Sequence, residues 1–539
     1  MRVAVLVAWA VLLGGPLLMP VAALATNPAG WGAWREADRL AALAANTALL
    51  CAGTVLVAVP VGGFLGLWAG RFGGSAARLA LLLAAFVPLP VYALAWQTVL
   101  GGWLPPLPLS PGTTAWRPWT LGLLPAVWVH ATAAVPWVAW AVAAAVRRTD
   151  PDLEDDALQT GGTKAVLRRV LLPRSRTAAV MAGAWVAAQP LTEITVSDMM
   201  QVRSAAEEVY TEMVIDKGGL AAAVAVALPV WLSTAGVGLF LGRRLARFDF
   251  TSPTTSHVQP LTLKPFAKWS LRVGVAGVVT LVAAVPLAAL VWKAAGGGTG
   301  RVPEWAFLVA ELGKVFRSES GVIAGSVASA AAVGVLTAFL AWVSCWAARR
   351  ARGFRVPLLF LCVLLLFAPG PVVGLGLKQF IALLMDIEDY VWPRGPMWSL
   401  LYYQPTPFPA GWAALLRFFP VACVVLWPAV RAIPDDLLDA ARLDGWGFSA
   451  TWNRLVAPLT TPAFLTAALA VSALALGEVS AGKLVNPPGH RVYILWLFDQ
   501  MHYGSESMLA AMALTQVAVT AAVVGGLLLV TRLAGRVIR

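Results

Sequence analysis

Apolar residues run along this chain in long unbroken stretches, and charged positions gather between the stretches instead of alternating with them. At 1.5 Å per residue, a helical run of about twenty such residues crosses the ~30 Å hydrocarbon core of a bilayer. Six spans are predicted at about 3–25, 46–69, 77–100, 120–146, 177–198 and 218–242. Six more are predicted at about 270–292, 321–347, 356–377, 411–431, 463–485 and 508–531. The dyad alternation of a membrane β-barrel is missing, so the expected fold is an all-α polytopic membrane protein of about twelve transmembrane helices. The first run, MRVAVLVAWAVLLGGPLLMPVAALA, ends in the Ala-Leu-Ala of a cleavable signal. Its apolar part exceeds the about 7–15 residues of a signal core, and it is read as a retained anchor.

Composition agrees with this pattern. Of 539 residues 59% are hydrophobic and 12% charged, with a mean hydropathy of +0.75; soluble domains carry about 25% charged residues. A net charge of +13 would suggest nucleic acid in a soluble protein. Here the basic residues collect in alternate loops, including 147-RRTDPDLEDDALQTGGTKAVLRR, 243-RRLARF, 349-RRARGFR and the final RVIR. By the positive-inside rule these loops and both termini are expected in the cytoplasm, with no nucleic-acid partner. The loops 206-AEEVYTEMVIDKGG and 386-DIEDYVWPRGPMW are acidic and aromatic, as expected outside. Cys51, Cys345, Cys362 and Cys423 lie in apolar runs without disulfide or metal spacing.

The chain also repeats itself. WAGR at 68–71 returns as WAAR at 346–349, and RSAAEEVY (203–210) corresponds to PPGHRVY (487–493). The loop after the fourth span corresponds to the loop after the tenth, and all three offsets are about 280 residues. A constant period signals duplication, and an even number of spans per copy makes the copies parallel. The expected organisation is a first half at 1–245, a polar Pro- and Ser/Thr-rich linker at 246–269 and a second half at 270–539.

The two corresponding loops, 147–176 and 432–462, carry the main functional signal. Each opens with acids around a short helix-forming stretch, reaches Gly, and closes on Pro before the next span: 151-PDLEDDALQTGGTKAVLRRVLLPRS and 434-PDDLLDAARLDGWGFSATWNRLVAPLTTP. Acids suit the start of a helix, and Gly permits a turn that other residues resist. The second loop resembles the EAA motif of ABC-importer permeases, E-A-A-x-x-x-G with a later Leu-Pro. Residues 439-DAARLDG match with Asp439 for Glu, and Ala457-Pro458 stands for Leu-Pro. In the first copy, 155-DDALQTG, Asp155 stands for Glu and Asp156 for the first Ala, and the distance from Gly161 to Pro173 is one residue shorter. The resemblance covers nearly the whole chain. It is closest to the fused permeases of the ferric iron and thiamine uptake group, helped by 476-LGEVSAGKLVNPPG and 501-MHYG.

That resemblance implies a bacterial inner-membrane transport subunit with no cofactor and no catalytic activity of its own. Asp155, Ala157 and Gly161 would couple to one copy of a separate ATPase, and Asp439, Ala440, Ala441 and Gly445 to a second. A periplasmic binding protein would deliver a small solute to 199–217 and 486–505. Ferric iron is the leading cargo, ahead of thiamine, sulfate or polyamine. The competing class is an ion- or proton-driven carrier with parallel halves.

Residues 477-GEVSAGKL come within one position of a nucleotide phosphate loop. Leu484 replaces the hydroxyl that would ligate Mg²⁺, and no strand precedes the stretch, so ATP is assigned to the separate chain. Glu478 within it and Glu193 in 189-QPLTEITVSD fall at comparable depth in corresponding spans. Intramembrane acids are costly and face a cavity or a partner. They are candidates for the translocation path, with bundle hydrogen bonding as the plainer alternative. His130 reads as a bundle residue, and His257, His490 and His502 are too scattered for a metal site. Pro60, Pro88, Pro90, Pro136 and Pro229 interrupt predicted spans.

Overall fold

The computed structural model describes residues 2–103, 119–215, 219–245, 264–297, 302–393, 395–503 and 505–537; most of the expected 246–269 linker lies outside them. The described residues are mostly helical, with no strand among them. Ten helices are long and apolar enough to cross a membrane: Val3–Thr26, Ala37–Arg71, Leu123–Arg147, Ala221–Phe240, Pro265–Ala294, Trp305–Ala348, Gly370–Val391, Phe408–Arg431, Phe448–Ala475 and Glu506–Gly526. A bent pair, Ser75–Ala85 and Leu89–Gly101, turns by 104° and makes eleven where it is counted as one span. The protein is therefore an all-α, multi-pass membrane protein.

Five predicted spans differ from their helices. The 77–100 span bends where Pro88 and Pro90 flank Leu89 and remove two backbone donors. The 356–377 span straddles a break at Ala368 and Pro369, which separates Arg352–Phe367 from Gly370–Val391. The 177–198 span stops at Thr192, with Glu193 extended, and resumes as Thr195–Met199. The 463–485 span ends at Ala475. The helix predicted at 321–347 begins at Trp305 and runs for 44 residues, about 66 Å, because hydropathy sees only its apolar part.

Packing follows small residues. Gly62, Gly66 and Gly70 recur every four positions on one face of Ala37–Arg71 and receive Val138, Val142 and Val146 of Leu123–Arg147. A Cβ at Gly66 would stand 2.6 Å from Val142 Cβ. Such small-residue stripes let membrane helices approach where no hydrophobic force drives them together. Trp305–Ala348 packs in the same way against Phe408–Arg431 and Ala457–Ala475, with Gly334 against Ala468 and Ser472.

The leading helix does not pack on the helices that follow it directly. Val3–Thr26 lies against the second part of the chain: Trp9 Nε1 donates to Ser344 Oγ at 2.8 Å, and Trp412 Nε1 donates to the Leu12 carbonyl at 2.9 Å. Pro265–Ala294 makes the reverse crossing, with Tyr92 donating to the Val282 carbonyl at 2.8 Å.

Candidate functional site

Two places concentrate polar chemistry: a level where four helix breaks meet, and the pair of acidic loops. At the breaks, Glu193 and Glu478 play the same local part. Glu193 ends its helix and turns back, Oε1 accepting from Thr195 N at 2.8 Å and Oε2 from Val196 N at 3.2 Å. Glu478 accepts from Ala481 N at 2.9 Å and Gly482 N at 2.7 Å. Each carboxylate satisfies the orphan amides at the start of the short helix after its break. This also answers the phosphate-loop question, since the amides that would cradle an anion already hold Glu478, and Lys483 pairs with Asp499.

The breaks touch one another. Ile194 N donates to Ser480 Oγ at 3.2 Å. Gly370 is wedged so closely that a Cβ there would stand 2.4 Å from Ser480 Cβ and 2.7 Å from the Thr192 carbonyl. Gly477 lies against Pro88. Arg417 of Phe408–Arg431 reaches into this junction: its Nη1 donates to the Ala368 carbonyl at 3.2 Å, and its Nε lies 3.8 Å from Glu478 Oε1. Its charge acts on both Glu193 and Glu478. A cavity of about 40 Å³ beside Glu478, lined also by Ser326, Ser329, Tyr493 and Gln516, has room for a water or two.

Arg417 was missed from the sequence, although its signal was present. It is the only charged residue between Phe408 and Val430, and an intramembrane charge is a functional candidate in itself. The structure brings Glu193 and Glu478 to one junction, with both carboxylates engaged by backbone amides.

The loops fold alike at an offset of 284. In Pro151–Ala165, capped by Asp150, Leu153 is exposed and Ala157 buried; in Asp435–Leu443, Leu437 is exposed and Ala441 buried. Asp439, Ala440 and Gly445 are exposed, and Asp439 pairs with Arg442 of its own helix at 2.8 Å. Asp155 is half-buried and Gly161 exposed. Gly445 adopts a φ of +78°, and in the first loop the left-handed residue is Gly162, at +63°. Asp435 forms ion pairs with Arg349 at 2.9 Å and Arg350 at 2.5 Å. The hydrogen bond from Arg350, with the nearby guanidinium charges, holds its carboxyl below the ordinary 3.8.

The remaining candidates are dispersed. His130 is buried with neither ring nitrogen hydrogen-bonded. His490 Nδ1 lies 2.9 Å from Asn486 Oδ1, and His502 Nε2 lies 3.1 Å from Asp198 Oδ2. His257 lies outside the described residues. Pro60, Pro136 and Pro229 sit inside continuous helices. All four cysteines are free, and no group among the described residues has the makings of a metal site. The expected docking segments contain the helices Ala205–Ile215 and Tyr493–Tyr503. No protein-family model, curated protein or solved structure matches this chain.

Proposed function

We propose that this chain is the complete membrane permease of a binding-protein-dependent importer, in two parallel halves of six crossings, moved by two copies of a separate ATPase that dock on the two acidic loops. The observation that carries the reading is the pair of loops. They share one pattern of inward and outward positions at a fixed offset, and each shows a leucine, Leu153 or Leu437, on its exposed side. Exposed apolar side chains on short helices suit insertion into a partner's groove. Twelve crossings follow if the bent pair and Leu172–Thr192 are each counted with the ten. The reciprocal crossing of Val3–Thr26 and Pro265–Ala294 suits a duplicated chain.

In this reading ATP favours one arrangement of the loops over another, and that difference shifts the permease between its states. The junction of breaks around Arg417 is the barrier that opens. The setting is the bacterial inner membrane with both termini cytoplasmic. Ferric iron is the cargo that the resemblance favours, with thiamine, sulfate and polyamine as alternatives, and a soluble binding protein supplies most of the selectivity.

The test is purification of the tagged full chain in mild detergent with quantitative mass spectrometry of what accompanies it. An ATPase at about two copies per permease supports the reading, and the ligand of a co-purifying binding protein identifies the cargo. A stable permease that repeatedly comes out without an ATPase refutes it in favour of an ion-driven carrier.

A further inference from the structure

The repeated WAGR and WAAR motifs end in Arg71 and Arg349, and the structure gives both arginines the same task. Arg71 Nη2 meets Glu154 Oε1 in the first loop, and Arg349 Nη2 lies 2.9 Å from Asp435 Oδ1 in the second. A second arginine braces each corner. Arg147 donates to the Ala69 carbonyl at 3.3 Å, and Arg431 donates to the Arg349 carbonyl at 3.5 Å. Each loop is thus tied to the end of a helix from well before it in the chain, Ala37–Arg71 or Trp305–Ala348. The acid differs by three residues between copies, being fourth in Pro151–Ala165 and first in Asp435–Leu443.

The two ties differ in exposure. Both side chains of the first pair are buried, Arg71 at 3% and Glu154 at 2% exposed, whereas Asp435 in the second is 60% exposed. Breaking a buried pair leaves an uncompensated charge and costs far more than breaking an exposed one. Arg349 also keeps the Ile433 carbonyl and the face of Trp346 when Asp435 lets go.

We propose that Arg71–Glu154 and Arg349–Asp435 are positioning pairs of unequal strength, so that the first loop helix moves as one body with Ala37–Arg71 while Asp435–Leu443 can swing about the Ile433 tie that Arg349 keeps. The inference rests on the reading of the loops as the ATPase-coupling elements, but its structural half is measurable without a partner. A displacement of the first loop passes directly into Ala37–Arg71, and through its glycine stripe into Leu123–Arg147. The second loop has play. Glu154, Arg71, Asp435 and Arg349 are positioning residues, since none would touch the cargo or the nucleotide.

Hydrogen exchange followed by mass spectrometry on the purified full chain in detergent tests this. In the wild-type chain, 151–165 is expected to exchange more slowly than 435–443; equal rates or the reverse order overturn the proposal without any substitution. Glu154→Gln is expected to speed exchange of 151–165 on the order of a hundredfold. Asp435→Asn is expected to speed 435–443 by no more than about fivefold, and equal responses count against the proposal. With the ATPase present, Glu154→Gln is expected to retain binding but move less cargo per ATP hydrolysed. Equal loss of binding and transport means a merely structural pair and overturns the positioning role. Failure of any ATPase to bind the wild-type chain refutes the coupling reading and leaves the exchange order standing.

Discussion

Replacing Arg417 by Gln removes the guanidinium that reaches into the junction of the helix breaks. Its Nε lies 3.8 Å from Glu478 Oε1, where Coulomb's law at an effective dielectric of ~20 gives about 4 kcal/mol of attraction. That attraction is offset by the cost of burying both charges, so the intact pair adds little net stability. The asymmetry appears when one partner goes, because an uncompensated buried charge costs about 3–5 kcal/mol. Glu478 would still accept from Ala481 N and Gly482 N, which places Arg417→Gln near the lower end, at about 3 kcal/mol. Glu478→Gln turns its own amide group toward one of those N–H donors, at about 1–3 kcal/mol. The double variant removes the Glu478 charge together with its partner, so its loss should fall short of the sum by at least about 1.5 kcal/mol. Equilibrium unfolding in mixed micelles of the wild type, both singles and the double measures this coupling. A coupling within about 0.5 kcal/mol of zero would show that Arg417 and Glu478 act independently and sink the account of the junction.

Four other outcomes are expected. Gly66→Leu should destabilise the chain by at least about 1–3 kcal/mol, seen as a lower midpoint in heating followed by gel filtration, while Gly63→Ala, with nothing within 4 Å of its Cβ, should be close to neutral. The Asp435 carboxyl is depressed in the folded chain, so its contribution is complete above the ordinary value and lost as pH falls through the depressed one. A spin label at Leu437 should therefore gain mobility only below about pH 4, with Asp435→Asn mobile at every pH; a wild-type label insensitive to acid refutes the tie. Glu193→Gln with Glu478→Gln should impair uptake while the protein still assembles, and unchanged uptake removes both from the mechanism. Gly370→Ala should force Ser480 away from Thr192 and reduce uptake without loss of folded protein; wild-type uptake would show that the close contact is incidental.

Continuous apolar runs were legible in the sequence because span length and the absence of charge are properties of a window. The breaks were not. Averaged hydropathy passes smoothly over Pro88-Leu89-Pro90 and Pro369-Gly370-Pro371, whose residues are apolar but short of backbone donors. The repeat was legible from WAGR and WAAR, but the role of their arginines depended on which acid folds back to meet them. Glu154 lies one place before the position that the motif singles out, at Asp155. The first loop's turn was placed at Gly161, and with two adjacent glycines nothing in composition chooses Gly162. Arg417 was lost for a different reason, since a single arginine in the middle of the apolar stretch Phe408–Val430 barely moves a window average.

The acids at the breaks and the loops are the two ends of the same levers. Leu172–Thr192, 21 residues and about 32 Å long, begins in the last part of the first loop and ends at Glu193. Phe448–Ala475, 28 residues and about 42 Å, begins within the second loop and ends close to Glu478. At their far ends the levers meet, through Ile194 and Ser480 and through Arg417. At their near ends each is held by a different helix through a different arginine. A rigid helix cannot change its angle at one end without moving the other. Relative motion of the loops must therefore appear at the junction as rupture of the Ile194–Ser480 contact, or be absorbed as bending at Pro190 and Pro462, the prolines inside these two helices. Pro190 lies three residues from Glu193, too near the junction to isolate it, whereas Pro462 lies sixteen residues from Glu478. The arm fixed firmly at its loop is thus also the stiffer one up to the junction, and the arm with play at its loop has a second point of give along its length. Both differences make the first half the stiffer path between loop and junction and the second the more compliant one.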